Sequence, residues 1–199
     1  PAPPAPAPVV AHATGGPDEF GYRFADSNAA SGPVYDWVEI APPEGGSGTE
    51  LTELRFADDG YFYPLKLPFP FTFYGIDYDQ IAISANGVIY FENQYVGYEN
   101  APIPSAGYPV VTFIAPFWDD LVVYPGGIYY QDLGDRLVIE FYQLSPCCVN
   151  GGEGTFQVIL FPNGSILYQY KDVVLGGGND LGSWATVGIQ GDGDTGLQY

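Results

Sequence analysis

The sequence predicts an all-β protein, a single antiparallel β-sandwich of about ten strands with an extended N-terminal arm, on three observations. First, 17 Tyr and 13 Phe together with 27 Gly and 19 Pro are typical of aromatic strands separated by turns. Second, short runs of alternating apolar and polar residues recur at intervals of roughly ten residues, with turn residues between them. Third, no helical periodicity persists over the roughly ten to twelve residues that would indicate a helix.

Residues 1–16 differ in composition from the rest of the chain and predict a separate arm, followed by the sandwich domain at 17–199. Five of the first eight residues are Pro, which fixes φ and favours an extended polyproline II path. At about 3.1 Å per residue, residues 1–13 would reach roughly 40 Å. One interpretation is a disordered linker. The other, which we expect, is an arm that docks on a neighbouring subunit. Its docking residues would be Pro1, Pro3, Pro4, Pro6, Pro8, Val9, Val10 and Ala11.

The first clear strand is predicted by the alternation of residue types between positions 65 and 74. One face would carry Leu65, Leu67, Phe69, Phe71 and Phe73. The other face would carry Lys66, Pro68, Pro70, Thr72 and Tyr74. Because Pro has no backbone N–H, prolines confined to one side predict an edge strand.

Turn residues place the remaining strands. Asn86-Gly87 predicts a hairpin between Ile81–Ala85 and Val88–Glu92 with a type I′ turn, since Asn-Gly readily adopts positive φ angles. Pro125-Gly126-Gly127 predicts a second hairpin, and Pro116 is expected to end the strand that precedes it. Further strands are predicted at Val110–Ile114, Leu121–Tyr124, Ile128–Gln131, Arg136–Leu144, Thr155–Phe161, Ile166–Lys171 and Thr186–Gln190.

Several of these stretches carry a family resemblance. They are LPFPFTFYG (67–75), ISANGVIYF (83–91), FIAPFWDDL (113–121), RLVIEFY (136–142) and GTFQVILFPNGSI (154–166). Together they resemble the nidogen-type extracellular β-sandwich domain and related domains of secreted bacterial proteins, where GYRFADSNAASGPVYDWVEI (21–40) is also found. The resemblance covers about residues 17–190 and leaves out the arm and the tail GDGDTGLQY. It implies an extracellular adhesive or structural protein without a common catalytic centre.

The charge of the chain excludes whole classes of function. It has 24 Asp and Glu against 5 Lys and Arg, a net charge of -19, whereas nucleic-acid binding depends on cations that meet phosphates. Clusters of basic residues that would dock on an anionic membrane are absent, as is an apolar run of roughly 20 residues for membrane insertion. The strong acidity, the few Lys residues and the lack of any Met, the initiator included, favour a processed, exported protein at the cell surface or beyond it.

Catalysis has little support in the sequence. His12 is the only histidine and lies in the arm, so no His-based triad or zinc site can form. We therefore expect no enzyme. A hydrolase built on a carboxylate pair such as Asp119 and Asp120 is the least favoured alternative.

Calcium is the candidate cofactor, because Asp oxygens are ligands that it prefers. Its ligands would come from Asp119, Asp120, Asp192 and Asp194. None of these matches the spacing of an EF-hand loop. Short acidic turns are also common simply because Asp and Gly form turns.

Two covalent features complete the candidates. Cys147 and Cys148 are the only cysteines, so they either pair with each other, bond to other chains or stay free. Asn163-Gly164-Ser165 is the only N-x-S/T sequence and would carry a covalent glycan if the host glycosylates it, although Asn-Gly also serves as a turn.

We expect a structural function from these observations. The chain would be a subunit of an extracellular filament or surface assembly, a homopolymer formed head-to-tail when the arm docks on the next identical subunit. The alternative is a secreted, calcium-dependent adhesion module that recognises a glycan or matrix protein through aromatic loops ordered by calcium, with Trp184 as a candidate contact.

Overall fold

The computed structural model describes residues 13–95, 97–105, 111–148, 151–176, 178–192 and 194–199. The docking residues predicted between Pro1 and Ala11, and His12, lie outside the described residues. The strands are β1 (Thr14–Gly15), β2 (Phe24–Ala25), β3 (Thr49–Glu50), β4 (Tyr61–Phe73), β5 (Ile76–Ser84), β6 (Ile89–Tyr90), β7 (Phe113–Trp118), β8 (Leu121–Asp132), β9 (Leu137–Pro146), β10 (Gly154–Leu160), β11 (Ile166–Asp172), β12 (Thr186–Asp192) and β13 (Thr195–Gln198). Three short 3₁₀ turns occur at Pro42–Glu44, Thr52–Leu54 and Asp180–Gly182.

Two antiparallel sheets pack face to face, so the predicted all-β sandwich is confirmed. One sheet has five strands in the order β11-β10-β9-β8-β3, and the other has six in the order β13-β12-β7-β6-β5-β4. The small β1-β2 pair is separate. No helix in the described part of the chain is long and apolar enough to cross a membrane.

The core between the sheets is aromatic. Phe141 and Phe156 stack with ring centroids 4.7 Å apart, and Phe73 and Phe91 stack at the same distance. Phe117 from the six-stranded sheet contacts Phe156 from the five-stranded sheet at 5.2 Å. Offset aromatic pairs of this kind add to the free energy of burial, which explains why so many Phe residues occur in the strands.

Strand β4 follows the predicted alternation and lies at the edge of its sheet, as expected. Leu65, Phe71 and Phe73 are buried, whereas the prolines of the strand are exposed. The placement of Tyr74 on the outer face was wrong. Its φ of 46° turns the chain after β4, and its ring is buried against Phe73 at 4.7 Å.

The hairpin at Asn86-Gly87 is present, but its predicted type I′ turn is wrong. Only Gly87 has a positive φ, 70°, and Ser84 N–H donates to Val88 O across a loop of three residues. Asn86 is fully buried. Its Oδ1 accepts from Leu121 N–H at 2.8 Å, so this side chain ties the turn to the start of β8 in the other sheet.

The predicted hairpin at Pro125-Gly126-Gly127 is wrong, because β8 runs through it as one strand. Both halves of β8 pair with β9, and the register shifts between Val122 and Pro125. A Cβ on Gly126 would lie 1.8 Å from the Tyr142 carbonyl oxygen, so the glycine allows a bulge against β9.

Two smaller expectations were also wrong. Pro116 lies inside β7 rather than ending a strand, at the place where the pairing of β7 with β12 shifts register. Residues 195–198, in the tail that the resemblance left out, form β13 and pair with β12.

A strap of residues 36–41 lies across the outer face of the five-stranded sheet. Its backbone is bonded by side chains from three neighbouring strands. Asp36 N–H donates to Gln169 Oε1 at 2.7 Å, Gln157 Nε2 donates to Val38 O at 3.3 Å, and Ile40 N–H donates to Glu140 Oε2 at 3.2 Å. The strap therefore crosses β11, β10 and β9 in turn and buries a row of polar side chains.

Candidate functional site

A groove of about 1030 Å³ opens beside β11 at one side of the sandwich. Its floor includes Val187, Ile189 and Leu197 from β12 and β13. One wall is formed by Tyr168 and Tyr170 of β11, and the other by the segment 21–35. Volumes of this size are typical of binding sites, so the groove is the leading candidate site.

The groove exists because the six-stranded sheet extends beyond the end of the five-stranded one. Tyr170 Oη donates to Pro116 O in β7 at 2.7 Å, and Tyr168 Oη donates to Gly188 O in β12 at 2.9 Å. Strand β11 thus lies above β7 and β12, and β13 continues outside it. Burial raises the pKa of both Tyr168 and Tyr170 further above the ordinary value for tyrosine.

The groove is almost free of charge. Among the described residues that line it, the charged ones are Arg23 and Asp26, one of each sign. The whole chain, by contrast, carries 24 acidic residues. An aromatic groove with one charge of each sign, on an acidic protein, favours a neutral, apolar ligand.

The N-terminal arm joins the body at the rim of this groove. Asp26 N–H donates to Ala13 O at 2.9 Å, and Ala13 N–H donates to Asp26 Oδ2 at 3.1 Å. The Ala13 hydrogen bond, with others from Ala29 and Asn28, lowers the pKa of Asp26. Because Asp26 also lines the groove, the arm starts beside the candidate site.

The calcium site predicted from Asp119, Asp120, Asp192 and Asp194 stays a prediction. Within the described residues, the atoms that lie within 4.8 Å of one another belong to Asp58, Asp120 and Cys147, and neither Asp119 nor Asp194 is in this group. The side chain of Asp192 lies outside the description. Cys147 is bonded to Cys148 and offers no thiolate, so two carboxylates remain where calcium takes six to eight oxygens.

Asp119 and Asp120 differ in their surroundings. Burial raises the pKa of Asp119, although Asp120 N–H donates to its Oδ1 at 2.9 Å. Burial also raises the pKa of Asp120, and the like charges of Asp58, Asp59 and Asp119 raise it further. The two carboxyl groups therefore lie at the start of β8 without a described partner of opposite charge.

Cys147 and Cys148 form a disulfide between adjacent residues at the end of β9. Cys147 N–H donates to Asp120 O at 2.8 Å, which fastens this loop to the β7–β8 turn. A bond within one chain leaves no cysteine for links between subunits.

We expect the denatured, unreduced protein to migrate as a monomer and to show no reactive thiol. Two thiols should react after reduction, because the chain has two cysteines. Electrophoresis without reductant, with thiol titration on the same samples, measures both. The reduced sample is the control, and a disulfide-linked dimer band would contradict this pairing.

Asn163 is exposed in the turn between β10 and β11, as the sequence predicts for a glycosylation site. Its Oδ1 accepts from Ser165 N–H at 3.0 Å. Asn163 also lines one end of the groove, so a glycan there would project from the groove mouth. Trp184 is 66% exposed, which suits a contact residue.

Sequence reasoning missed the groove and the buried carboxyl group of Glu140. The tyrosines of β11 alternate with Leu167 and Gln169, which signals two different faces but not an open edge. Glu140 interrupts the apolar run of β9 and is fully buried under the strap. A lone acid in such a run is a usable signal, because ionisable side chains are rarely buried without a partner.

Comparison with known protein families finds a match to the model described as NIDO related, over residues 26–199. The chain belongs to the NIDO-related family. The match includes the tail that the sequence resemblance left out. NIDO-related domains are typically extracellular.

One curated relative extends this comparison. This NIDO-related chain is 35% identical over 77 residues to the dendrite extension defective protein 1 of Caenorhabditis elegans. The aligned part covers 38% of this chain and 6% of the relative, so it spans a small fraction of that protein. No solved structure matches the chain with significance.

Proposed function

We propose that this protein is a subunit of an extracellular homopolymer and that its groove receives the N-terminal arm of a neighbouring identical subunit. The observation that carries this proposal is an aromatic groove whose described lining has no net charge, on a chain with a net charge of -19. The arm matches the groove, because residues 1–12 contain only Pro, Ala, Val and one His.

Pro-rich segments bind aromatic grooves well because their extended conformation is already restricted before binding. Tyr22, Tyr168, Tyr170 and Tyr199 supply aromatic surface along the groove. Binding a neutral arm also brings no further carboxylate onto an acidic surface. Elsewhere the acidic bodies repel one another, which disfavours other contacts.

The length of the arm supports docking on another subunit. Twelve residues at about 3.1 Å each reach roughly 37 Å. Strand β11 has seven residues, or roughly 23 Å at 3.3 Å each. If it is extended, an arm that starts at the groove rim would be longer than the strand beside it, and long enough to reach a neighbouring subunit.

One arm and one groove per subunit form a heterologous contact. Such contacts repeat head-to-tail and produce an open filament when the rotation between subunits does not close a ring. This geometry needs no second binding surface.

Deletion of residues 1–12 should convert filaments into monomers. Light scattering and negative-stain electron microscopy of the full chain and the deletion measure this change. Replacement of the arm by a Gly-Ser segment of equal length controls for length alone and should also give monomers. Filaments that persist after the deletion would overturn the proposal, and so would a full chain that stays monomeric with its arm in its own groove.

Substitution in the groove provides an independent measurement. Leu197→Asp places a carboxylate on the groove floor and should abolish assembly, because the neutral arm cannot pair with it. Leu133→Asp places the same charge on an exposed β8–β9 turn outside the groove lining and should leave assembly unchanged. Thermal unfolding of both variants confirms that the bodies are folded.

An adhesion module remains the second candidate, on the exposure of one loop. Trp184 and Leu181 are 66% and 79% exposed, and Leu181 has a positive φ of 57°. Exposed aromatic residues are enriched in binding surfaces. If this loop binds a glycan or matrix protein, Trp184→Ala should reduce binding to immobilised matrix without changing assembly.

A further inference from the structure

The free edge of β11 suggests how the arm is held, an inference that rests on the proposed function. Strand β11 ends the five-stranded sheet and pairs only with β10 among the described strands. An unpaired edge offers a row of backbone donors and acceptors to an added strand. In the groove, this edge lies above the floor formed by β12 and β13.

The pattern of hydrogen bonds between β10 and β11 identifies which peptide groups of β11 face the groove. Phe161 N–H donates to Ser165 O at 3.0 Å, so these residues form a hydrogen-bonded pair. Pairs of this type alternate along an antiparallel ladder, and Ile159 with Leu167 and Gln157 with Gln169 continue the series. The intervening residues Ile166, Tyr168 and Tyr170 therefore direct their N–H and C=O groups away from β10.

Proline occurs at every second position of the arm between residues 4 and 8. This spacing matches that of the outward-facing residues of β11. Pro4, Pro6 and Pro8 alternate with Ala5, Ala7 and Val9. In an extended strand, successive N–H groups point to opposite edges. The prolines thus remove the donors from one edge only, and the alternate residues keep theirs on the other.

We propose that residues 5–11 of a neighbouring subunit's arm add to β11 as a one-sided edge strand. The N–H groups of Ala5, Ala7 and Val9 would bond to the outward carbonyls of Tyr170, Tyr168 and Ile166, and the carbonyls of the same arm residues would accept from the N–H groups of these three residues. Pro4, Pro6 and Pro8 would face away from it. Residues 5–11 number seven, which equals the length of β11.

This arrangement explains why the arm alternates Pro with small residues. Proline φ, about −65°, lies within the extended region of the backbone, so the arm can pair without leaving that region. From Pro4 to Pro8 its outer edge then lacks donors, which hinders a further strand from adding there. The prolines thus make the added strand the last strand of the five-stranded sheet. The filament then grows only when the next arm enters the next groove.

Single substitutions within the arm of the full chain test the pairing. Ala7→Pro removes a bonded N–H and should raise the critical concentration for assembly about tenfold, since a lost hydrogen bond also leaves a buried carbonyl unpaired. Pro6→Ala is the matched control at the neighbouring position. It restores an N–H on the unbonded edge and should change the critical concentration by no more than roughly two- to fivefold, the effect of a freer unbound arm.

Amide hydrogen exchange gives a second, direct readout. In filaments, the amides of Ile166, Tyr168 and Tyr170 should exchange more slowly than in the monomeric deletion variant. Those of Leu167 and Gln169 are already bonded to β10 and should change little.

The outcomes separate this inference from the proposed function. If assembly needs the arm but Ala7→Pro and Pro6→Ala behave alike and the β11 amides stay unprotected, the strand pairing is wrong and the docking stands. If filaments form without residues 1–12, the proposed function itself fails.

Discussion

Gly87→Ala should lower the free energy of unfolding by about 4 kcal/mol or more, enough to unfold many domains. Gly87 has a φ of 70°, and a Cβ there would lie 2.0 Å from the Phe117 carbonyl oxygen. Phe117 belongs to the buried strand β7 and cannot move away without disturbing the core. Urea unfolding followed by tryptophan fluorescence measures the loss.

Gly134→Ala is the matched control for backbone strain alone. Gly134 has a φ of 87°, but no atom lies within 4 Å of the position where its Cβ would be. The expected cost is therefore only the strain of a left-handed residue, about 1–2 kcal/mol. Equal losses at the two positions would mean that the close approach to Phe117 does not matter.

The same turn illustrates what the sequence could and could not predict. Asn-Gly chemistry is local, so the position of the hairpin was predictable. The conformation of the turn was not predictable, because the Asn86 side chain is held by two hydrogen bonds. Its Oδ1 accepts from Leu121 N–H, and its Nδ2 donates to Asp59 at 3.1 Å. These partners are distant in sequence, so no local turn rule includes them.

Strand β4 was predictable from local sequence, whereas the path of β8 was not. The alternation in β4 depends on which side chains are buried, which is visible in the residue types themselves. In β8, Pro125-Gly126-Gly127 has the composition of both a turn and a bulge. The segment forms a bulge rather than a turn because β9 is long enough to pair with both halves of β8.

The candidate site was the least predictable part. Its walls come from segment 21–35 and from β11, and its floor comes from β12 and β13. The apolar pattern of each segment is that of an ordinary strand or loop and does not indicate a groove. The groove arises because the two sheets differ in width. That the Pro-Ala arm docks on a neighbouring subunit stays a prediction, because its composition also fits a linker.

The strap likewise escaped prediction, although it creates the most perturbed carboxyl group in the described fold. Glu140 is fully buried, and its Oε1 has no hydrogen-bond partner among the described residues. Tyr129 and Gln157 lie opposite it on β8 and β10. Glu39 of the strap and Lys171 of β11 are the charged groups that act on it most. Burial, and then the negative charge of Glu39, raises the pKa of Glu140 to about 7.

Glu140 should therefore make the fold less stable as pH rises from about 4.5 to about 7. Across this window the unfolded chain has lost the proton while the folded chain still holds it, so the unfolded state gains relative stability. The total loss is on the order of 3 kcal/mol. At pH values below the window, Glu140 is protonated in both states and the loss is absent.

Glu140→Gln isolates this contribution, because a neutral amide of the same shape can still accept from Ile40 N–H. The variant and the native chain should have similar free energies of unfolding at pH 4, and the variant should be more stable at pH 8 by up to about 3 kcal/mol. Repulsion among the other acidic residues also weakens the fold as pH rises, but it acts on both proteins and cancels in their difference. Glu53→Gln, at an exposed position, removes one charge from the surface and should give a difference that changes little with pH. If the Glu140→Gln difference were equally flat, the carboxyl group would not be held in its neutral form by the strap.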